Sequence, residues 1–302
     1  MVTRILFLGT PAFGVASLQR LIGCQASKGW KVVGAITQPD RPAGRGRKIS
    51  VPPVKQAALE SGIPVFQPER IRGNPEAISL LNQLRPDLIV VVAFGQILPR
   101  DFFEFPGHGT LNVHASLLPA YRGAAPVVHA IWNGDKETGV TIMKIDEGMD
   151  TGGILTQRAC SIPLEMTAGE LEERLSQHGA DLLIEVLPDY LAGAVEPRPQ
   201  DSEGATYAPK ITPRDALIDW SASARGVHNQ IRAFNPRPGA RTTFRGEALK
   251  IWKSRLPNAA KEDSGLKPGT IAAVEPAAVT VSCAEGEQLE LIEFQLPNRN
   301  RV

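Results

Sequence analysis

Asn112 and His114 stand two residues apart in the β-type run Leu111–His114, which predicts a strand. The strand period of two puts both side chains on one face, next to each other. A carboxamide can donate to a developing oxyanion and an imidazole can take up a proton, so the pair suits attack of a nucleophile on a carbonyl group. On the tripeptide alone, a strand end whose polar groups satisfy nearby backbone is the commoner outcome. Asp150 adds a third group. It is a short carboxylate in the glycine-rich stretch GMDTGG, on backbone expected to be flexible enough to bring it up to His114 and orient the ring.

Those groups need a scaffold, and the first half of the chain predicts one. Short apolar runs at Ile5–Leu8, Val32–Thr37 and Asp87–Phe94 alternate with amphipathic stretches at Ala12–Ile22, Val54–Ser61 and Pro75–Leu84. This is the βαβ pattern of a parallel sheet. The run LIVVVA is apolar throughout, as a strand covered by helices on both faces must be, and it is expected near the sheet centre. Further strands are expected at Thr110–His114 and Val140–Ile145, with a helix around Pro126–Trp132 between them. The carboxyl end of the Thr110–His114 strand is where open α/β sheets bind ligands. Residues 167–192 predict a long helix: Thr167 and Glu170 fit a capping box, and Leu171, Leu175, Leu182, Val186 and Leu187 repeat on one face as core positions.

The stretch 193–213 is rich in Pro, Gly and acidic residues and predicts a linker. It divides a catalytic domain at 1–192 from a smaller domain at 214–302, in which ALKIWKS, GTIAAV, AVTVSC and QLELIEF predict a small β-barrel or sandwich.

Bulk properties narrow the function. A net charge of +1 over 302 residues argues against a protein that coats nucleic acid along its whole surface, so any such contact must be local. Cys24, Cys160 and Cys283 are scattered and odd in number, which indicates neither a disulfide framework nor a thiolate metal site. An apolar strand-like run begins within the first few residues, and no stretch approaches the ~20 apolar residues that span a bilayer. A cytoplasmic protein with no membrane partner is expected, and no feature argues against a monomer. The first turn, Gly9-Thr10-Pro11-Ala12-Phe13-Gly14, spells neither the dinucleotide fingerprint nor a phosphate-cradling loop, which disfavours nicotinamide chemistry.

The run LNVHASLLPAYRGAAP (111–126) followed by GVTIMKIDEGMDTG (139–152) resembles the methionyl-tRNA formyltransferases, and FLGTPAFG, TQPDRPAGRGRK, VVVAFGQILP and RAFNP extend the likeness in the same order. The resemblance implies a Rossmann-like, mostly parallel α/β formyltransferase domain followed by an OB-like barrel. It implies that 10-formyltetrahydrofolate donates a formyl group without a metal, that His114 manages the proton of the attacking amine, that Asn112 polarises the formyl oxygen, and that Asp150 orients His114. It also implies a pterin pocket formed by Gly95, Gln96, Ile97 and Leu98 together with the turn Ser116, Leu117, Leu118 and Pro119. A histidine, whose ordinary pKa is about 6.5, suits the proton transfer at neutral pH.

The catalytic trio does not choose the acceptor amine, because formyltransferases acting on nucleotide sugars or a purine precursor share it. The choice rests on the insertion QPDRPAGRGRKISVPP, where Arg41, Arg45, Arg47 and Lys48 lie among Pro and Gly and can meet phosphates. By resemblance this loop enters the acceptor-stem region of methionyl initiator tRNA; by itself it would be read as a solvated surface loop. The second domain adds Arg232, Arg237, Arg241, Arg245, Lys250 and Lys253, with Phe244 and Trp252 expected in the barrel core. Two features depart from the family: Arg237 follows RAFNP where an aromatic is common, and further strand and basic residues usually follow the run QLELIEF. A formyltransferase for an amino-sugar nucleotide, or a folate-responsive RNA-binding protein, are the competing readings. The basic loop weighs against the first and the intact trio against the second.

Overall fold

The structure is a computed structural model that describes residues 2–43, 48–257, 265–297 and 299–301. In chain order the elements are β1 (Thr3–Gly9), α1 (Val15–Lys28), β2 (Trp30–Ile36), β3 (Arg41–Ala43), β4 (Lys48–Ser50), α2 (Pro53–Glu60), β5 (Val65–Phe66), α3 (Pro75–Leu84), β6 (Leu88–Val92), α4 (Arg100–Phe103), β7 (Thr110–His114), β8 (Arg122–Gly123), α5 (Pro126–Trp132), β9 (Glu137–Lys144), β10 (Ile154–Ser161), α6 (Ala168–Leu191), β11 (Tyr207–Ala208), α7 (Ala224–Ala233), β12 (Ala240–Phe244), β13 (Glu247–Arg255), β14 (Ile271–Glu275), β15 (Ala278–Ser282) and β16 (Gln288–Gln295). They form two compact units that interleave in sequence. The first comprises Met1–Arg122, Gly139–Cys160 and Glu173–Tyr207; the second comprises Gly123–Thr138, Ser161–Glu172 and Ala208–Val302.

The first unit is built on a seven-stranded sheet of order β10-β9-β7-β6-β1-β2-β5. Strands β7, β6, β1, β2 and β5 run parallel, and β9 joins β7 antiparallel. Strand β6 holds the central place its unbroken apolar run predicts, with all five residues buried. Ile89 and Val91 of β6 pack with Leu6 and Leu8 of β1, Ile36 of β2 and Leu81 of α3 in one cluster. Each such fully buried aliphatic side chain contributes about 1.5–3 kcal/mol. Along α6 the positions Leu171, Leu175, Leu182, Val186 and Leu187 are all buried. Its start is the expected capping box: the Glu170 carboxylate accepts from the Thr167 backbone N–H at 2.8 Å, and Thr167 Oγ1 accepts from the Glu170 N–H at 3.3 Å.

The stretch 193–213 is not a free connection. Residues to Tyr207 belong to the first unit and those from Ala208 to the second. Arg198 exchanges both backbone hydrogen bonds with Ile154 of β10, at 2.9 and 2.7 Å. Its Pro- and Gly-rich composition reports the lack of a long element, since the two-residue β11 is its one strand, and packing against another strand does not require more.

The second unit carries a five-stranded antiparallel sheet of order β12-β13-β16-β15-β14. Helix α7 and strand β12 lie beyond the strands that the apolar runs predict. The helix escapes a periodicity reading because its buried face includes His228, Asn229, Gln230 and Arg232. These polar groups are tolerated because loop carbonyls and side chains satisfy them. His228 Nε2 donates to the Leu164 carbonyl at 3.1 Å while Nδ1 accepts from the Ser254 hydroxyl at 3.0 Å.

Burial holds the His228 imidazole below its ordinary 6.5; Arg232 and Arg225 add to the depression, while the Leu164 hydrogen bond and Glu165 oppose it. Below pH 6.5 the unfolded chain therefore binds a proton that the folded chain refuses, so stability is full above that pH and falls as the pH drops. The slope approaches about 1.4 kcal/mol per pH unit for one such group. Urea unfolding at pH 7.0 and 5.0 is expected to show a smaller acid loss in His228→Asn than in the parent protein. Equal losses would remove His228 as the cause.

All three cysteines are free thiols. Burial, with Glu287 adding to it, pushes the Cys283 thiol up to about 12, so it behaves as a small apolar core residue. Among the described residues no helix is long and apolar enough to cross a membrane.

Candidate active site

Strand β7 carries Asn112 and His114 to the carboxyl edge of the parallel sheet. Asn112 is in register with Val91 of β6 and Met143 of β9, and His114 lies opposite Thr141 of β9. Asn112 is half-buried, and no hydrogen bond among the described residues engages its carboxamide, which leaves its N–H groups available. His114 is buried, with Nε2 at 2.9 Å from the Tyr121 carbonyl oxygen. A carbonyl only accepts, so Nε2 carries the hydrogen and Nδ1 carries the lone pair. Nδ1 faces Asp150, whose Oδ2 is 3.7 Å away. That separation is beyond a hydrogen bond but within ion-pair range.

Asp150 lies in the turn joining β9 to β10. Its backbone sits in the left-handed region at φ 53°, which Asp tolerates better than most residues. The flexible backbone expected here is instead pinned. Asp146 Oδ1 accepts from Gly148 N and Thr151 Oγ1, at 3.0 and 2.7 Å. The Lys144 N–H donates to the Gly153 carbonyl at 2.8 Å. From the other side the Gln200 carboxamide donates to the carbonyls of Asp150 and Gly152, both at 2.8 Å. Glycines set close backbone approach in this turn as well as freedom, since a Cβ on Gly152 would stand 1.8 Å from the Lys144 carbonyl oxygen.

The turn after β7 is held from inside. The Thr141 hydroxyl donates to the Ser116 carbonyl at 2.7 Å and accepts from the Leu118 N–H at 3.1 Å, and Gln157 Nε2 donates to the Leu118 carbonyl at 2.8 Å. Ser116 is fully buried with its hydroxyl on the Ala120 carbonyl, and Leu118 packs with Met143 and Ile154. Leu117 and Pro119 are half-buried.

A cleft of about 640 Å³ opens at the carboxyl ends of β1 and β6, lined by Thr10, Gln38, Arg70, Phe94 and Gly95–Ile97 among others. Strand order reverses between β1 and β6, since β2 and β5 extend one way and β7 the other. This is the switch point at which such sheets bind ligands. The loop after β6 departs from regular backbone, with φ of 49° at Ala93 and 83° at Gly95. It is tied down where Thr10 Oγ1 and Gln38 Nε2 both donate to the Phe94 carbonyl, at 3.1 and 3.2 Å. Gln96 is anchored by the Ile71 N–H at 2.9 Å, Ile97 stands exposed, and Leu98 turns into the core cluster. Of the residues expected around the pterin, Gly95, Gln96 and Ile97 line this cleft. Leu98 and the 116–119 turn do not; burial makes Ser116 and Leu118 supports of the turn.

The formyl transferase family profile matches residues 3–187, and the family's C-terminal domain matches residues 210–302. Methionyl-tRNA formyltransferase of Bacillus subtilis (strain 168) is 45% identical over 300 residues, covering 99% of this chain and 92% of the relative. The chain belongs to the methionyl-tRNA formyltransferase family. The family member of that description from Acidithiobacillus ferrooxidans (strain ATCC 53993 / BNL-5-31) is 47% identical over 97% of this chain and 90% of its own. Among solved structures, the sugar 3N-formyl transferase WlaRD superposes with a TM-score of 0.70 at 20% identity, over 99% of this chain and 100% of its own. The N-formyltransferase from Helicobacter canadensis superposes at 0.69 and 21%, over 97% and 99%. At that identity the superpositions establish a shared fold only.

In this formyltransferase the basic residues divide by environment. Arg41 reaches the cleft lining, exposed and 4.0 Å from Glu69. Arg45, Arg47 and the Lys48 side chain lie outside the described residues. In the second unit Arg237, Arg245, Lys250 and Lys253 are exposed. Arg232, expected to offer charge to RNA, is buried instead. Its guanidinium donates to Asn229 Oδ1 at 2.9 and 3.1 Å and to the Met166 carbonyl at 3.2 Å. A cation spent on internal acceptors cannot meet a phosphate. Trp252 is core as expected, but Phe244 is 40% exposed at the β12–β13 turn with Arg245 at 5.2 Å from its ring centroid. Strand alternation brings Phe244 to a turn, beyond the reach of the core.

Proposed function

We propose that this protein transfers the formyl group of 10-formyltetrahydrofolate to the α-amine of methionyl initiator tRNA, giving formylmethionyl-tRNA for translation initiation. The observation that carries the reading is the approach of Asp150 to His114, 3.7 Å from Nδ1, beside Asn112 at the sheet edge of a chain from this family. The donor fits the switch-point cleft in size, since small-molecule sites run to roughly 300–1,000 Å³. Backbone N–H and C=O groups of the irregular 93–97 loop suit the amide-like edge of a pterin. Gly95, Gln96 and Ile97 offer those groups to the donor, Leu98 holds their loop on the core, and the turn Ser116, Leu117, Leu118 and Pro119 supports the β7 side without lining the cleft.

The chemistry follows from the residues. The amine nitrogen attacks the formyl carbon, a new N–C bond forms, and the carbonyl electrons move onto oxygen. Asn112 donates to that oxyanion. Removing one such donor typically costs about 10²–10³ in rate. Nδ1 of His114 takes the proton released by the attacking nitrogen, and Asp150 meets the positive charge on the ring. Collapse of the adduct breaks the bond to folate N10, and the imidazolium returns its proton to that leaving nitrogen. Ring orientation comes from the Tyr121 carbonyl at Nε2, so Asp150 serves the charge more than the tautomer. Arg41, Arg45, Arg47 and Lys48 meet phosphates of the tRNA, and the protein acts as a cytoplasmic monomer.

The test is transfer of labelled formyl from 10-formyltetrahydrofolate to methionyl initiator tRNA, run beside free methionine and an amino-sugar nucleotide. Label in the charged tRNA alone is expected. Label in the sugar nucleotide alone would keep the trio in its roles and overturn the acceptor.

A further inference from the structure

The chemistry above leaves one buried polar cluster unused. Arg122, only 7% exposed, points Nε and Nη2 at a single acceptor, Gln200 Oε1, at 3.1 and 2.7 Å. A carboxamide whose oxygen is held by a guanidinium can present only its N–H groups on the far side. Gln200 Nε2 does so, meeting the carbonyls of Asp150 and Gly152 together. The first of those carbonyls belongs to Asp150 itself, a non-glycine residue in left-handed backbone, a conformation that persists only where neighbours hold it.

The same dipeptide also anchors the histidine. The Tyr121 carbonyl accepts from His114 Nε2. The Tyr121 N–H donates to Thr206 Oγ1 and the Arg122 N–H to the Thr206 carbonyl, both at 2.8 Å. One rigid pair, Tyr121-Arg122, thus holds the imidazole through its main chain and the Asp150 turn through its side chain.

We infer that Arg122 and Gln200 are positioning residues that keep the Asp150 carboxylate at ion-pair distance from His114. Sequence reading places Gln200 in a linker, and only the fold brings it to the site.

For its turnover readout this inference rests on the proposed reaction; a second readout does not. Gln200→Glu keeps the volume and still accepts from Arg122, but it turns an oxygen with no hydrogen toward two carbonyls. The kcat of formyl transfer is expected to fall roughly 10- to 100-fold, as misplacement by about 1 Å does. The KM values for donor and charged tRNA should change by less than about threefold, because uniform binding is untouched. Independently, the 15N ring resonances of His114, assigned by their loss in His114→Asn, are expected to shift in Gln200→Glu.

If Gln200→Glu does not fold by circular dichroism, Arg122→Lys, which retains one donor to Gln200, carries the same two measurements with a smaller loss. Unchanged kcat with unchanged His114 resonances would overturn the inference, and so would a loss of kcat matched by the unfolded fraction alone. If the parent protein fails to formylate methionyl-tRNA, the proposed reaction falls, and the resonances alone decide the positioning role.

Discussion

His114→Asn is expected to lower kcat for formyl transfer by about 10³- to 10⁴-fold and to leave the fold intact. The ring nitrogen facing Asp150 is the only side-chain base beside Asn112 that β7 supplies, and general acid–base catalysis contributes roughly 10²–10⁴. Asparagine retains an N–H for the Tyr121 carbonyl, so the loss to stability should stay near one hydrogen bond, about 1 kcal/mol. Asn112→Ala removes the oxyanion donor and is expected to cost about 10²–10³ in kcat. The double variant should fall short of the product of the two single effects, because both groups serve one tetrahedral adduct. Single-turnover transfer to charged tRNA, with thermal unfolding alongside, checks all three variants. Activity within about fivefold of the parent in His114→Asn would move the proton transfer to another group.

Gly152→Ala is also expected to be damaging, and for a backbone reason. The added Cβ would lie 1.8 Å from the Lys144 carbonyl oxygen and 2.9 Å from its carbon, main-chain atoms that cannot rotate away. The turn must open by on the order of 1 Å, which strains the Lys144–Gly153 hydrogen bond and the Gln200 contacts and draws Asp150 back from His114. A shift of that size costs about 10²-fold in rate, and the strain should lower stability by about 2–4 kcal/mol. Gly23 in α1 provides the control, because a Cβ there meets nothing within 4 Å. Gly23→Ala should leave activity unchanged and stabilise the protein by up to about 1 kcal/mol. A Gly152→Ala protein with parental activity would show that the turn has more freedom than its contacts imply.

Residue 152 illustrates how legibility varies along the chain. GMDTGG announces a turn, yet which glycine is needed, and against which atom, depends on how Lys144 closes upon it. Local patterns were readable wherever one residue's environment follows from its neighbours in sequence. The buried run of β6, the capping box at Thr167 and the leucine stripe of α6 are of this kind. Helix α7 was unreadable for the opposite reason. Its buried positions are polar, and their partners, such as the Leu164 and Met166 carbonyls, come from a segment more than sixty residues away. Phe244 and Arg232 exchanged their expected environments because residue type sets only a preference for burial. The number and kind of partners at each site decide the outcome.

By itself the sequence determined the α/β and antiparallel elements, the place of Asn112 and His114 on one strand face, and the motifs shared with the family. Periodicity and hydrogen-bonding chemistry act over a few residues, so no partner need be known. Only the tertiary structure decided that Asp150 comes to His114 Nδ1, that Tyr121 holds Nε2, and that Arg122 and Gln200 pin the turn between them. The Asp150 and Gln200 contacts join segments far apart in sequence, and even the seven-residue turn that returns Tyr121 to His114 is held by Thr141 and Thr206. Their meeting is set by packing of the whole sheet, for which local sequence carries no signal.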